Sequence, residues 1–217
     1  MTKESQMKSL VLLGCNGNAF EILDAIVAIN ARCSTYTVIG YLDDDPSKHG
    51  VCFNGIPVLG VLGLAREMSD ALFVLCIGSV SSYKHREAIL STLQLENSTF
   101  PTIIHPRAEI SASATIEGGS FVGAFASIGS GALIGRNCIV LSHCIISHDS
   151  SLGKHSVLAA GVRIAGNSSI QDHCFLGQGA LIAENVTVGT GTLIGMGSII
   201  RSNVPSNSKV VGNGRFI

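Results

Sequence analysis

The chain has no tryptophan, and aromatic residues make up only 5% of its 217 residues. A core so poor in rings must be built from Ile, Val, Leu and Ala, which suits many small regular contacts better than a few large anchors. Charge is also scarce. Asp, Glu, Lys and Arg together reach 13%, the formal net charge is −1, and no basic block occurs; nothing here would neutralise a phosphate backbone, so no nucleic-acid partner is expected. No uninterrupted apolar run reaches the ~18–20 residues that cross a bilayer, so no membrane insertion is expected. The first residues, Met1 to Lys8, are polar and do not read as a signal peptide. The seven cysteines contain no CxxC pair and are odd in number, which argues against a disulfide framework and for free thiols in a reducing cytoplasm.

What is abundant is glycine, 25 residues, and aliphatic side chains within a 46% hydrophobic total. The two halves use them with different rhythms. In the first hundred residues, short apolar runs (Ser9–Leu13, Thr37–Leu42, Ile56–Leu59 and Leu72–Ile77) alternate with segments of helical spacing, Asn18 to about Ile29 and Ser82–Leu95. Short strands alternating with helices predict a parallel sheet with crossover helices. The expectation is a Rossmann-like α/β domain over residues 1–103.

From Ile110 the rhythm changes. Every sixth residue is Ile, Val or Leu, from Ile110 and Ile116 through Val122, Ile128 and onward to Ile194 and Ile200, sixteen positions without a break. That period is the signature of a parallel β-helix, expected over residues 104–217. Two residues before each aliphatic stands Ala, Ser, Cys or Thr, except at Val162 and Val186. Residues two apart share a strand face, so each short strand turns one large and one small side chain inward. Cys138, Cys144 and Cys174 fall at the small inward position and read as buried small hydrophobes. Gly often follows the aliphatic residue (Gly123, Gly129, Gly135, Gly153, Gly177, Gly189, Gly195), where the chain is expected to turn. Three hexads make one triangular coil of eighteen residues, and end coils need caps. The first half is expected to cap one end, and Asn203-Val204-Pro205 to leave the prism and cover the other.

A prism of short strands has no internal cleft, so chemistry is expected on its outer faces or between subunits. Histidine is the natural general base near neutral pH, and the prism carries His143, His148, His155 and His173. His143, His155 and His173 stand three residues after an aliphatic position and His148 stands two. Asp149 follows His148 directly and can orient its imidazole. A zinc site would use His143 and His148, five apart as in gamma-class carbonic anhydrases, with its third ligand 36 residues before His143. That position is Arg107, which cannot ligate zinc, so no metal is expected. In the first half, Gly14-Cys15-Asn16-Gly17-Asn18 follows a strand and opens a helix, where backbone N–H groups can hold a phosphate. Asp43 and Asp44 end the second strand, where a carboxylate can meet a ribose or a base, and Gly78 ends the third run beside the same crevice. On the residues alone, ordinary turns, a zinc hydratase and a non-catalytic sugar-binding scaffold remain alternatives.

Together the glycine loop, the Tyr41-Leu42-Asp43-Asp44-Asp45-Pro46 turn, Ile104-His105-Pro106 and the hexads resemble the NeuD/PglD type of sugar acetyltransferase, the sialic acid O-acetyltransferases and nucleotide-aminosugar N-acetyltransferases of the hexapeptide-repeat superfamily. The resemblance covers nearly the whole chain. It implies a left-handed prism, a homotrimer, acetyl-CoA as co-substrate in the groove between adjacent prisms, and a nucleotide-linked sugar held by the N-terminal domain. The family's catalytic segment, His-(Glu/Asp)-x-x-(Ile/Val/Leu)-Gly, is similar to His148-Asp149-Ser150-Ser151-Leu152-Gly153. His148 thereby takes the general-base role and Asp149 the orienting one. Gly14, Asn16, Gly17, Asn18, Asp43, Asp44 and Gly78 take the substrate-binding role. Gly166, Gln178 and Met196 fall where family members offer backbone groups to coenzyme A. Val157, which stands where some N-acetylating members carry a second histidine near the acetyl carbonyl, takes a cofactor-binding role with those three. The family's loop often has His where Asn18 stands, and its closing Gly-x-Pro-Ala is replaced by Gly212-Asn213-Gly214-Arg215. The implied function is N-acetylation of a nucleotide-linked amino-deoxy sugar in bacterial surface-glycan biosynthesis, with O-acetylation of a sialic-acid-like sugar as the alternative.

Overall fold

The computed structural model describes residues 7–217; most of the N-terminal stretch expected not to be a signal peptide lies outside them. The hexads build a triangular parallel β-helix of two-residue strands in three sheets. One sheet stacks strands ending at Ile104, Val122, Val140, Leu158, Leu176, Ile194 and Val211, with a last antiparallel strand Arg215–Phe216 at its edge. The second stacks strands ending at Ile110, Ile128, Ile146, Ile164, Ile182 and Ile200, and the third those ending at Ile116, Ile134, Leu152, Ile170 and Val188. Neighbours in a stack are eighteen residues apart, as in Ile134↔Leu152 and Ile146↔Ile164. The register thus begins one hexad earlier than the sequence count, at Ile104.

The inward pair is as expected. Ile146, Leu152 and Leu158 are at most 1% exposed, and so are the small residues two before them, Cys144, Ser150 and Ser156. The inward hydroxyls are satisfied by the next turn of the chain: Ser150 Oγ donates to Ala165 O at 2.9 Å and accepts from Ser168 N at 3.2 Å. Cys138, Cys144 and Cys174 are free and fully buried, and burial raises their thiols to about 12, 12 and 11.

The glycines after the aliphatic residues have a different cause from the expected one. The left-handed backbone falls two residues further on, at every sixth position from Gly119 to Gly197. Gly129 is needed because a Cβ there would meet His148 N, on the next coil, at 2.8 Å. Close approach between coils demands it, not turn geometry.

The expected Rossmann-like domain does not form. Residues ahead of the prism make a five-stranded sheet from β1 (Lys8–Leu13), β2 (Tyr36–Leu42), β3 (Cys52–Phe53), β4 (Ile56–Gly60) and β5 (Leu72–Leu75), ordered β3-β4-β2-β1-β5. Only β1 and β2 are joined by an α-helix, α1 (Gly17–Asn30). The chain passes from β2 to β4 through a 3-10 turn and an antiparallel hairpin, and from β4 to β5 through the 3-10 segment Leu62–Glu67. Residues 43–71 are rich in Asp, Gly and other turn formers and lack the apolar period of a crossover helix. Nor is there an independent core on both sides. Leu10, Leu12, Ile22, Ile26, Tyr41 and Val74 pack in one cluster with Ile103, Phe121, Ile139 and Val157, the outward residues of the first prism sheet. Most of the chain's strands belong to the prism.

This unit therefore covers a prism face rather than an end. Its second α-helix, α2 (Arg86–Leu93), follows a 3-10 turn at Tyr83–His85. Beyond Ile200 the chain also stays in the prism longer than expected: Val204, 5% exposed, bridges in parallel to Val188, and Lys209–Val210 pairs with Leu193–Ile194. The spacing has shortened from eighteen residues to sixteen, and the hairpin Lys209–Phe216 closes the stack.

Candidate functional site

The expected site residues fall in three places: a crevice against the first prism sheet, the prism edge opposite that sheet, and the edge between the first and second sheets. The first is the crevice where β1 and β5 end. Asn16 caps α1, its Oδ1 accepting from the Asn18 and Ala19 N–H groups at 3.0 and 3.3 Å. Asn18 reaches from there to the Cys76 carbonyl, its Nδ2 donating at 3.2 Å. Asn16, Gly17, Asn18, Gly78, Ser79 and Ser82 line a cavity of about 310 Å³ whose other wall is prism, with Leu141, Val157, Ala159 and Phe175.

Asp43 is near but its oxygens are occupied. Oδ2 accepts from Cys15 N and Lys48 Nζ, both at 2.8 Å, and Oδ1 from Asp45 N at 3.0 Å. Burial would raise its carboxyl, but the Lys48 ammonium and the two N–H groups outweigh that and hold it below the ordinary carboxylate range. Asp43 thus pins the glycine loop, with Gly14 N donating to the Leu42 carbonyl at 2.7 Å beside it. Asp44 is exposed and accepts from Leu62 N at 2.8 Å.

The second place is the prism edge between the second and third sheets. His148 Nδ1 lies 3.0 Å from Asp149 Oδ2, with the two side chains 61% and 64% exposed. An acceptor at Nδ1 places the proton there and leaves Nε2 with its lone pair free, the tautomer a general base needs. Asp149 sits in the left-handed region at φ 55°, and the dyad is held by the coils on either side. Asp149 N donates to Ser130 O at 2.8 Å, and Asn167 N to His148 O at 3.1 Å. Glycine makes the room. A Cβ on Gly131 would come 2.6 Å from Asp149 Oδ1, and one on Gly166 would come 2.5 Å from His148 Nε2. Gly166, singled out for coenzyme A, therefore also cradles the base. Its carbonyl is taken by Asn185 N at 3.2 Å.

Gln178 and Met196 lie on the edge between the first and second sheets, one coil apart. Both are exposed, Met196 by 77%, and the Gln178 carbonyl accepts from Gly197 N at 2.8 Å. The second sheet runs between this edge and His148, and its outward row includes Ile145 and Leu181, 39% and 38% exposed. Val157 is not with this group. It is 1% exposed and lines the crevice beside Gly78. The crevice lies against the first sheet, and the His148 edge is opposite that sheet, so one copy of the chain does not bring them together.

The other histidines have local partners. His143 stacks on Phe125 (centroids 5.0 Å apart, 19° between planes), and the Arg107 guanidinium lies 5.7 Å from the Phe125 centroid. His155 and His173 stack at 5.4 Å, with His173 Nε2 3.2 Å from Glu87 on α2. Among the described residues no group of three or more His, Cys, Asp or Glu is placed to hold a metal ion.

A family model, the GMPPB C-terminal domain, matches residues 99–210. The chain belongs to that family. Solved structures match over nearly its whole length. The acetyltransferase domain of PglB from Neisseria gonorrhoeae FA1090, in complex with acetyl coenzyme A, is 27% identical with a TM-score of 0.85, covering 97% of this chain and 100% of that one. PerB from Caulobacter crescentus, in complex with CoA and GDP-perosamine, is 24% identical (TM-score 0.84; 96% and 97% covered). WeeI from Acinetobacter baumannii AYE is 24% identical (0.83; 97% and 100%). At that identity the last two speak for the fold. No curated protein sequence matches the chain. The resemblance to sugar acetyltransferases read from the motifs is borne out by the match to the PglB acetyltransferase domain.

Proposed function

We propose that the protein is an acetyl-CoA-dependent acetyltransferase that N-acetylates a nucleotide-linked amino-deoxy sugar in bacterial surface-glycan biosynthesis. The carrying observation is the His148–Asp149 pair, bonded at 3.0 Å with the imidazole open to solvent, on a chain similar throughout to an acetyltransferase domain bound to acetyl coenzyme A. Nucleotide-sugar specificity rests on likeness to the complex with CoA and GDP-perosamine and on the glycine-loop crevice. In this reading residues 1–103 hold the nucleotide sugar and residues 104–217 carry acyl transfer.

The sugar amine attacks the thioester carbonyl and forms the C–N bond. His148 Nε2 takes the proton the nitrogen sheds, while Asp149 steadies the imidazolium. The C–S bond breaks, and coenzyme A leaves as the thiol with that proton. Acetyl-CoA lies along the second sheet, reached by Gln178 and Met196 on one edge and by Gly166 and His148 on the other. Because crevice and dyad are on opposite sides of one prism, a homotrimer supplies the neighbour whose crevice presents the sugar. No helix among the described residues is long and apolar enough to cross a membrane, and the proposed location is the cytoplasm, where acetyl-CoA and nucleotide sugars would be available.

The test is thiol release from acetyl-CoA against a panel of nucleotide amino sugars and sialic acids, for the wild type and His148→Ala. Turnover with an amino sugar that is lost in His148→Ala is expected. Full transfer by His148→Ala to every accepted sugar overturns the mechanism, turnover only with hydroxyl acceptors moves the reading to O-acetylation, and no turnover anywhere overturns it for a scaffold.

A further inference from the structure

Charges buried in proteins are paired or hydrogen-bonded to capacity. Arg86, the first residue of α2, departs from this. It is 0% exposed. Its Nη1 and Nη2 donate to the carbonyls of Ile77 and Asn137, and its Nε has no partner. Among the described residues no carboxylate makes an ion pair with it; the adjacent Glu87 turns instead to Lys154 and His173, at 2.8 and 3.2 Å. The titratable groups that act on the guanidinium, Cys138 and Cys76, carry no negative charge at neutral pH. Burial pushes the Cys138 thiol up to about 12 and the Cys76 thiol higher still. Burial, aided by Arg86 itself, holds His155 down at about 4 and so neutral. Burial also lowers the guanidinium, to about 10, which leaves it protonated.

This uncompensated cation stands directly behind the crevice. Gly78 is the wall between them: it lines the cavity, and a Cβ on it would come 3.0 Å from Arg86 Nη1. The other polar lining groups, from Asn16, Asn18, Ser79 and Ser82, are neutral. Asn16 already caps the Asn18 and Ala19 N–H groups of α1. Lys48, the cation that reaches the glycine loop at the Cys15 carbonyl, is engaged by Asp43 at 2.8 Å.

We propose that Arg86 is a positioning residue for an anionic ligand, its charge completed across Gly78 by the diphosphate of a nucleotide-linked sugar in the crevice. This rests on the nucleotide-sugar reading above. The base and sugar are neutral or cationic, so the diphosphate is the part that answers the missing countercharge. A buried cation also suits the task because salt screens it little.

The experiment is calorimetric titration of the full chain with matched pairs, UDP and uridine, GDP and guanosine, dTDP and thymidine, for wild type, Arg86→Lys and Arg86→Gln. Two unit charges about 8 Å apart at an effective dielectric near 20 correspond to about thirtyfold in affinity. The wild type should therefore prefer the diphosphate of its base by at least about thirtyfold. Arg86→Gln should lose most of that preference while binding the nucleoside within about twofold of wild type, and Arg86→Lys should keep most of it. In turnover, Arg86→Gln should raise KM for the nucleotide sugar and leave KM for acetyl-CoA unchanged. An unaltered preference in Arg86→Gln, or equal weakening of diphosphate and nucleoside, reduces Arg86 to a clamp between Ile77 and Asn137 and overturns the proposal. If Arg86→Gln does not fold, a wild type that binds diphosphate no better than nucleoside overturns it equally. Binding of no nucleotide or nucleotide sugar at all overturns the nucleotide-sugar reading itself, and this inference with it.

Discussion

Replacing Gly166 by alanine tests the dyad without touching either member. The new Cβ would stand 2.5 Å from His148 Nε2 and 2.6 Å from Cε1, where ordinary contact begins at 3.4 Å. The imidazole must therefore retreat by about 1 Å. Gly166 is not in the left-handed region, so alanine suits the backbone and the substitution acts on the ring. The ring retreats by loosening its 3.0 Å bond to Asp149 or by swinging further into solvent, and either motion takes Nε2 away from the proton it must accept. Misplacing a catalytic group by about 1 Å costs about a hundredfold in rate. Thiol release at saturating acetyl-CoA and sugar should accordingly show kcat lower by about two orders of magnitude, with a Tm close to the wild type. A Gly166→Ala protein that turns over at the wild-type rate would mean that His148 does not act from this position, and the general-base assignment would fall with it.

Asp149→Asn keeps a side chain that tolerates the left-handed backbone but removes the charge that steadies the imidazolium; kcat should drop about tenfold or more, while stability moves by less than about 0.5 kcal/mol because the pair is solvent-exposed, as paired kinetics and urea titration would show. His155 is buried and held neutral down to about pH 4, first by burial and then by Arg86. Unfolded histidine binds its proton near pH 6.5, so the stability present above that pH drains as pH falls towards 4. The loss should be about 1 kcal/mol by pH 5.5 in the wild type and smaller in His155→Asn; equal urea shifts between pH 7.5 and 5.5 in the two proteins would contradict this. Leu152→Ala should cost about 2–5 kcal/mol, since Leu152 is 1% exposed between stacked neighbours Ile134 and Ile170, read from the denaturation midpoint.

The prism was legible because its signal is repeated: each hexad states the same inward pair, and stacking forces the coils into one register. The covering of one face is legible too, in a period three times the hexad. Ile103, Phe121, Ile139, Val157, Phe175 and Leu193 recur every eighteenth residue, and together they describe an apolar outer row. The equivalent rows on the other faces are mixed, with Glu109, Ser127 and Arg163 among Ile145, Leu181 and Ile199 on one, and Thr115, Ser151, Ser169 and Thr187 around Leu133 on the other. That row explains why the leading unit folds as a cover on the prism and not as the Rossmann-like domain its first strand and helix suggest. Between β2 and β5 no apolar period marks a crossover helix, and 3-10 turns suffice where the prism itself supplies the missing layer. Arg86 is not legible, for the opposite reason: a single arginine at the start of a helix carries no pattern, and its isolation exists only in three dimensions.

The histidines show how far a repeat can mislead and then inform. At every sixth position from residue 119 to residue 197 the backbone is left-handed, and all but one of these residues are Gly, Asn, Asp or His. Those are the types that tolerate that conformation. His143, His155 and His173 all stand there, so backbone geometry accounts for their presence without any chemistry. Phe125 is the exception, and its ring is held between Arg107 and His143. His148 stands one residue earlier, where no left-handed demand exists, and it is Asp149 that fills the special position. Geometry thus accounts for the carboxylate's place on the edge and leaves the imidazole unexplained by folding. An exposed histidine that the backbone does not require, cradled by a glycine that has no turn to make, is the residue whose presence only its reaction can justify.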